Sequence, residues 1–217
     1  MSERENILEL KNVVYSFHTY GGEVKAVRDV SYEVRQGEIL GIVGESGCGK
    51  SVTAQCILRL NPEPPGFFEG GEILYKGQDV LKMSKKEIRK IRGREIGFVF
   101  QDPMTSLNPT MRVGAQIEEV FLGRTDVSKK EVKERAMDIM RLVGISDVEK
   151  RYKQYPHELS GGMKQRVMIA IALVSRPSVI ICDEPTTSLD VTIEAQILDL
   201  LLELREKLGT SIIMITH

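Results

Sequence analysis

The stretch Gly44-Glu-Ser-Gly-Cys-Gly-Lys50-Ser51 decides the fold class of this chain, because its spacing matches a loop that wraps the phosphates of a nucleoside triphosphate. Glycine lets the backbone turn its N–H groups toward an anion, Lys50 can reach the β and γ phosphates, and Ser51 can ligate Mg²⁺. The apolar run 38–43 before the loop predicts a buried strand, and residues 51–60 predict a helix. These flanks favour an α/β core that binds ATP or GTP over a glycine-rich surface turn that matches by chance.

The residues predicted to contact the nucleotide are those of the loop and the one after it: Gly44, Glu45, Ser46, Gly47, Cys48, Gly49, Lys50, Ser51 and Val52. Many unrelated proteins hold a nucleotide in this way, so the loop alone does not assign a function. The purpose of the nucleotide must come from the rest of the chain.

Composition sets broad limits on function. The chain has 217 residues, 41% of them hydrophobic, which is enough to bury a sizeable core. Thirty basic residues against thirty-one acidic ones give a net charge of -1, so we expect no nucleic-acid partner from overall charge. No apolar run approaches the ~20 residues that span a bilayer, and the three cysteines show no metal-binding spacing. We therefore expect a soluble, intracellular protein.

Hydrophobic patterns divide the chain into an α/β core and a helical insert. Alternation over 7–14 and 24–35 predicts an antiparallel flank. Short apolar runs predict further strands at 72–75, 96–100, 178–183 and 211–216. Between 102 and 175 the pattern is helical, with a capping box at Ser128 and a stop at Gly144, and another helix is predicted over 192–208. The predicted core with its antiparallel flank is 1–101 and 176–217, and the inserted α-helical subdomain is 102–175.

Two carboxylates stand where a buried strand ends. The run Val179-Ile-Ile-Cys182 leads directly into Asp183 and Glu184, and α/β sheets present ligands at this edge of a strand. Phosphoryl transfer needs a group that holds Mg²⁺ and a group that orients the attacking water. We assign Asp183 to the metal and Glu184 to the water as general base. A strand that simply ends in solvated acids is the alternative.

A second glycine motif, Leu159-Ser-Gly-Gly-Met-Lys-Gln-Arg166, opens a long apolar helix. Ser160, Gly161 and Gly162 combine a hydroxyl, bare backbone N–H groups and a helix N-terminus, which together suit a second anion site. A plain N-cap explains the serine but not both glycines. With the phosphate loop and the Asp183-Glu184 strand end followed by Ser188-Leu-Asp190, this motif resembles the ATP-binding subunits of ABC transporters. The resemblance covers essentially the whole chain, with a P-loop NTPase core.

The resemblance implies a shared active site. In the family two such subunits sandwich two ATP molecules, so Lys50 and Ser51 of one subunit would face Ser160, Gly161 and Gly162 of a second one. The second subunit is either identical or a paralogue. Asp190 would belong to the loop that crosses the seam between them.

The resemblance also implies roles for residues outside these motifs. Gln101 would touch Mg²⁺, together with Ser51 and Asp183, and would take part in catalysis with Lys50 and Glu184. His217 would contact the γ-phosphate. Phe17 stands where the family places an aromatic ring on adenine, although Tyr15 and Tyr20 are close enough to compete, and a core position is the alternative for Phe17.

Three segments resemble one transporter subclass, the dipeptide and oligopeptide importers: 101–109, 155–160 and 183–190. Nickel importers share much of this pattern, and the ATP-binding subunit never touches the cargo. The implied partners are two transmembrane permease subunits and, indirectly, a substrate-binding protein. The implied location is the cytoplasmic face of the membrane. Family members continue past the position of His217, so the resemblance implies a truncated chain that binds ATP but hydrolyses it slowly.

Two alternatives come from other classes of protein. Soluble ABC proteins that act on DNA or ribosomes usually insert coiled coils, zinc modules or a second cassette, and none is visible here. A regulator without hydrolysis is disfavoured because Glu184 is present. The basic run 82–94 has a local charge of +6, which an anionic leaflet would attract. Ser84-Lys-Lys-Glu87 within it is a capping box, so a solvated helix is the simpler interpretation.

Overall fold

The computed structural model describes residues 5–122, 127–187 and 191–217 of the chain. The first two strands, β1 (Asn6–Thr19) and β2 (Gly22–Arg35), form a long antiparallel hairpin, and β3 (Ile39–Val43) leaves it for a different sheet. Strands β4 (Gly66–Tyr75) and β5 (Gln78–Asp79) complete the antiparallel sheet in the order β2-β1-β4-β5. This is the predicted antiparallel flank.

The second sheet is parallel and lies between two hydrophobic layers. Its strands β6 (Ile96–Val99), β7 (Val179–Asp183) and β8 (Ser211–Thr216) join β3 in the order β3-β8-β7-β6. Every residue of β7 is buried, which explains why its sequence is a continuous apolar run without alternation.

Helices pack on both faces of this parallel sheet. The five α-helices described between Pro103 and Leu173 lie in the predicted helical segment 102–175. In chain order the helices are α1 (Lys50–Ile57), α2 (Lys85–Ile91), α3 (Pro103–Ser106), α4 (Val113–Glu119), α5 (Lys129–Leu142), α6 (Val148–Arg151), α7 (Gly161–Leu173) and α8 (Val191–Leu208).

Two hydrophobic clusters cover opposite faces of the parallel sheet. Ile180 and Cys182 of β7 belong to the cluster that contains the buried residues of α4, α5 and α7. Val179 and Ile181 of the same strand belong to the cluster that contains β1 and α1. Successive side chains of a strand point to opposite faces, so a single strand anchors both the helical layer and the antiparallel layer.

The structure corrects several predicted boundaries. Strand β1 extends to Thr19 because register shifts let it bend and keep pairing, and β4 begins at Gly66 rather than near residue 72. Helix α1 ends at Ile57. The capping box at Ser128 is half present: its side chain accepts a hydrogen bond from Glu131 N.

Candidate functional site

The candidate site lies at the edge where all four parallel strands end. Strand β3 leads into the phosphate loop, β6 leads toward Gln101, β7 ends at Asp183 and Glu184, and β8 is followed by His217. Parallel strands place their carboxyl ends at one edge of a sheet, which is where α/β proteins bind ligands. Four stretches that are far apart in sequence are therefore brought together.

The phosphate loop requires glycine at two positions. Gly47 has a φ of +78° and Gly49 a φ of +99°, a backbone conformation that side chains with a Cβ rarely adopt. A Cβ on Gly49 would lie 2.2 Å from the carbonyl oxygen of Ala26 on β2. The loop is thus packed directly against the antiparallel sheet.

The Lys50 ammonium is held by the loop that precedes it. Its Nζ donates hydrogen bonds to the carbonyl oxygens of Gly44 (2.6 Å) and Glu45 (2.9 Å), and the residue is only 7% exposed. These bonds keep a positive charge at the loop, where a triphosphate needs it.

Ser51 and Asp183, two of the predicted Mg²⁺ ligands, lie within hydrogen-bonding distance of each other. Ser51 Oγ donates a 2.8 Å hydrogen bond to Asp183 Oδ1 and so links the start of α1 to the end of β7. Burial, and then the charge of Glu184, raise the pKa of Asp183, while the Ser51 bond and the Lys50 charge act in the opposite direction. A hydroxyl and a carboxylate side by side are the hard oxygen ligands that suit Mg²⁺.

Glu184 is the centre of a hydrogen-bonded cluster. Its Oε2 accepts from Gln101 Nε2 (2.7 Å) and Thr187 Oγ1 (3.1 Å), and His217 Nε2 lies 2.8 Å away. The residue is 7% exposed and has a φ of +45°, which is unusual for a residue other than glycine. Other described residues away from the cleft, such as Asn12 and Lys76, also have a positive φ, so the hydrogen-bonded cluster rather than the backbone distinguishes Glu184.

The phosphate loop borders a cleft of about 700 Å³ that also contains Gln101 and Glu184. Residues of β2 form another wall, among them Val24, Ala26, Val27 and Arg28. Sequence reasoning missed this wall and missed Thr187. The sequence does not reveal the β2 wall, because strand alternation does not say which sheet layer faces the phosphate loop. Thr187 could have been found from its position three residues after Glu184.

Phe17 lies beside the cleft without lining it. It pairs with Val24 across the β1–β2 hairpin, and its half-buried ring packs edge-on against Tyr15 at a centroid distance of 5.3 Å. Tyr15 is fully buried, whereas Tyr20 is fully exposed at the hairpin turn. Tyr15 therefore has no free face for a base, and the choice between Phe17 and Tyr20 stays a prediction.

Ser160, the serine of the second glycine motif, lies outside the cleft of its own chain. Ser160 is the N-cap of α7, where its Oγ accepts from Met163 N at 3.4 Å, and Ser160 and Gly161 are exposed. A Cβ on Gly162 would lie 3.0 Å from Ile193 Cγ2. None of the three lines the cleft around Lys50.

Asp190, predicted to lie at a subunit seam, falls outside the described residues. Over the described ranges, no three His, Cys, Asp or Glu side chains cluster closely enough to hold a metal ion by themselves. Ions such as Mg²⁺ commonly use one or two protein ligands and complete their shell with water and phosphate oxygens.

Comparison with known proteins assigns the family. The family described as ABC transporter matches residues 27–187, from β2 through the phosphate loop and α7 to the residues after Glu184. The chain belongs to the ABC transporter family. Members of this family with solved structures share its fold: the dimeric ATP-binding cassette MJ0796, in a post-hydrolysis state bound to ADP and Pi, superposes with a TM-score of 0.84 at 31% identity. The match covers 97% of this chain and 88% of that one, so the predicted fold class is confirmed.

Curated relatives within the ABC family are named as peptide transport proteins. The oligopeptide transport ATP-binding protein OppD of Bacillus subtilis is 57% identical over 97% of this chain, and the dipeptide transport ATP-binding protein DppD of the same organism is 51% identical over 98%. OppD of Escherichia coli is 47% identical over 99%. The predicted resemblance to peptide-importer subunits is confirmed.

The chain spans 59%, 64% and 63% of the lengths of these three relatives. Within the described part of the chain, no helix combines the length and the apolar character needed to cross a membrane.

Proposed function

We propose that this chain binds and hydrolyses ATP as the ATP-binding part of a peptide importer. The observation that carries the proposal is the convergence of the phosphate loop and Glu184 on one cleft, with Asp183 hydrogen-bonded to Ser51 of that cleft. Each of the three needs of phosphoryl transfer, which are a phosphate cradle, a metal ligand and a base, has a residue at this edge of the sheet.

The chain's own residues divide the chemistry among them. Backbone N–H groups of the loop and the Lys50 ammonium hold the phosphates, and Ser51, Asp183 and Gln101 supply oxygen ligands for Mg²⁺. The metal, when bound, neutralises charge that develops on the phosphate oxygens. Glu184 takes the proton of the attacking water at a carboxylate oxygen, while Gln101, Thr187 and His217 orient that carboxylate.

The active site is completed by a second subunit in this proposal. Ser160 and Gly161 are exposed and lie away from the cleft, although they combine a hydroxyl with N–H groups at the start of the 13-residue helix α7. Such a helix start attracts anions. A second copy or a paralogue that presents this motif to the phosphates explains why both glycines are needed. Two permease subunits at the cytoplasmic face of a membrane, with a substrate-binding protein, complete the importer.

Peptides are the proposed cargo because the relatives quoted above are named for peptide transport. The direct test is uptake by the transporter assembled from the full-length protein and the permeases and binding protein encoded beside it. Labelled dipeptides and oligopeptides should accumulate, and Lys50→Ala should abolish accumulation. Accumulation of Ni²⁺ instead of peptides would assign the cargo to nickel, and Lys50-independent uptake would reject the proposal.

A further inference from the structure

A second concave site lies at the C-terminal end of α1, the end opposite the phosphate loop. It has a volume of about 430 Å³, and we call it the basic cavity. Its polar walls are Arg59, Asn61, Glu63, Lys85, Arg89 and Arg92. Four cations against one carboxylate give it a formal charge of +3, although the whole chain carries only -1.

Two of the cations have no partner within the described part of the chain. Lys85 and Arg89 are four residues apart on α2 and therefore lie on one face of that helix. Both are exposed, and no hydrogen bond or ion pair engages either side chain there. Lys82, close by in sequence, differs, because it is paired with Asp79 at 2.9 Å.

The other two cations are fixed in place by backbone carbonyl groups. Arg92 Nε donates to Leu58 O at 2.8 Å, and its Nη2 donates to Arg59 O at 2.5 Å. Arg59 Nη1 donates to Met83 O at 2.9 Å. A guanidinium has five N–H donors, so each group keeps donors for a ligand while its position is already set. Binding then costs less side-chain entropy than it would for a free arginine.

The two guanidinium groups also repel each other. Burial, and then the positive charge of Arg59, lower the pKa of Arg92. Within the described residues Glu63, the carboxylate of the cavity, forms no ion pair with either guanidinium. An anion between the arginines relieves the repulsion.

We propose that the basic cavity binds a phosphate-bearing anion. Fixed guanidinium forks match the oxygens of a phosphate in pairs, and lysine adds a mobile point charge. A charge of +3 suits a multiply charged phosphate group better than a single carboxylate. The phosphate belongs either to a soluble polyphosphate or to a phospholipid headgroup, and the site is independent of the ATP chemistry proposed above.

The test uses two matched double variants of the full-length protein. Lys85→Gln with Arg89→Gln removes the unpartnered cations of the cavity. Lys86→Gln with Lys90→Gln removes the same charge from exposed positions of the same helix that do not line the cavity. Glutamine is close to lysine and arginine in helix propensity, so α2 stays folded in both.

Inorganic pyrophosphate is the soluble probe. Binding is followed by NMR through the Nε–H resonances of Arg59 and Arg92. These groups lie at the cavity and not at the phosphate loop, so pyrophosphate bound at the loop does not interfere with the measurement. We expect saturable shifts of these resonances, with a Kd about tenfold weaker in the cavity variant, as loss of two charged contacts implies, and nearly unchanged in the control variant.

Vesicles separate the two sources of phosphate. Cosedimentation with phosphatidylcholine vesicles that contain phosphatidylglycerol, lost in the cavity variant and kept in the control, assigns the site to a lipid headgroup. Pyrophosphate binding without cosedimentation assigns it to a soluble phosphate. The proposal is overturned if neither probe binds, or if the two variants weaken binding equally, since general charge then explains the effect.

Discussion

Gln101 Nε2 donates a 2.7 Å hydrogen bond to Glu184 Oε2 and so joins the ends of two neighbouring strands, β6 and β7, at the cleft. The same oxygen accepts from Thr187, and His217 Nε2 lies beside it. Within the described residues, Glu184 Oε1 accepts no hydrogen bond. One carboxylate oxygen is therefore held in place while the other is free for a water molecule.

Thr187 is predicted to position the base. Thr187→Val removes a 3.1 Å hydrogen bond to Glu184 Oε2 with little change in side-chain volume. A bond of this kind contributes about 1 kcal/mol, so kcat should fall roughly fivefold, and KM for ATP should stay unchanged because Thr187 does not line the cleft. Steady-state ATP hydrolysis measures both constants.

Thr187→Ser is the matched control, because serine keeps the hydroxyl. It should restore kcat to near the original value, with the same melting temperature as the valine variant. Equal losses of kcat in the two variants would assign Thr187 to packing rather than to orientation of Glu184.

Gly49 is predicted to tolerate no side chain. Gly49→Ala places a Cβ 2.2 Å from Ala26 O at a φ of +99°, so the free energy of unfolding should fall by about 1–3 kcal/mol and ATP binding should weaken. Gly41→Ala on β3 is the control, since a Cβ there meets no atom within 4 Å. Urea unfolding that ranks the two variants equally would contradict the packing of β2 onto the loop.

Asp183 is predicted to lower stability at neutral pH. Burial and Glu184 raise its pKa, so the folded chain holds this proton more tightly than the unfolded chain. The more tightly held proton stabilises the folded chain below the unfolded pKa, and this stabilisation is lost as the pH rises through the folded pKa. Without Mg²⁺ or nucleotide, Asp183→Asn should therefore melt at a higher temperature at pH 7, by a margin that shrinks on acidification. A margin independent of pH would show that burial of the charge is not the cause.

Cys48 is predicted to report nucleotide binding. It is the exposed cysteine of the three and lines the cleft, whereas Cys56 and Cys182 are buried, with pKa values raised to about 12 by burial. Alkylation by iodoacetamide should therefore occur at Cys48 and slow down when ATP is present. Labelling at the same rate with and without ATP would place the nucleotide elsewhere.

Much of this site follows from local sequence. The phosphate loop, the Asp183-Glu184 strand end and the cap at Ser160 are each contained in a few consecutive residues with a physical reason for their spacing. The meeting of the first two at one edge also follows, because parallel strands end together, whereas the cap at Ser160 lies away from that edge. The strand order β3-β8-β7-β6 does not follow, since it depends on pairing between strands that are distant in sequence, such as β3 and β8, where Ile39 pairs with Ile212.

The parts that were not predicted depend on tertiary packing. Ala26 of β2 packs against Gly49, and no pattern within either segment indicates that contact. The basic run 82–94 gave no reason to expect a cavity, because Arg59, which completes it, comes from the end of α1. The length of β1 was underestimated because register shifts interrupt its alternation.

Glu184→Gln tests the central claim most directly when ATP binding and hydrolysis are measured on the same full-length protein. Removal of a general base should slow phosphate release by about 10² to 10⁴-fold, and the Kd for ATP should stay nearly unchanged, because the phosphate loop and Lys50 are intact. Lys50→Ala should instead weaken binding itself. Hydrolysis that survives the Glu184→Gln change would contradict the assignment of Glu184 as the base.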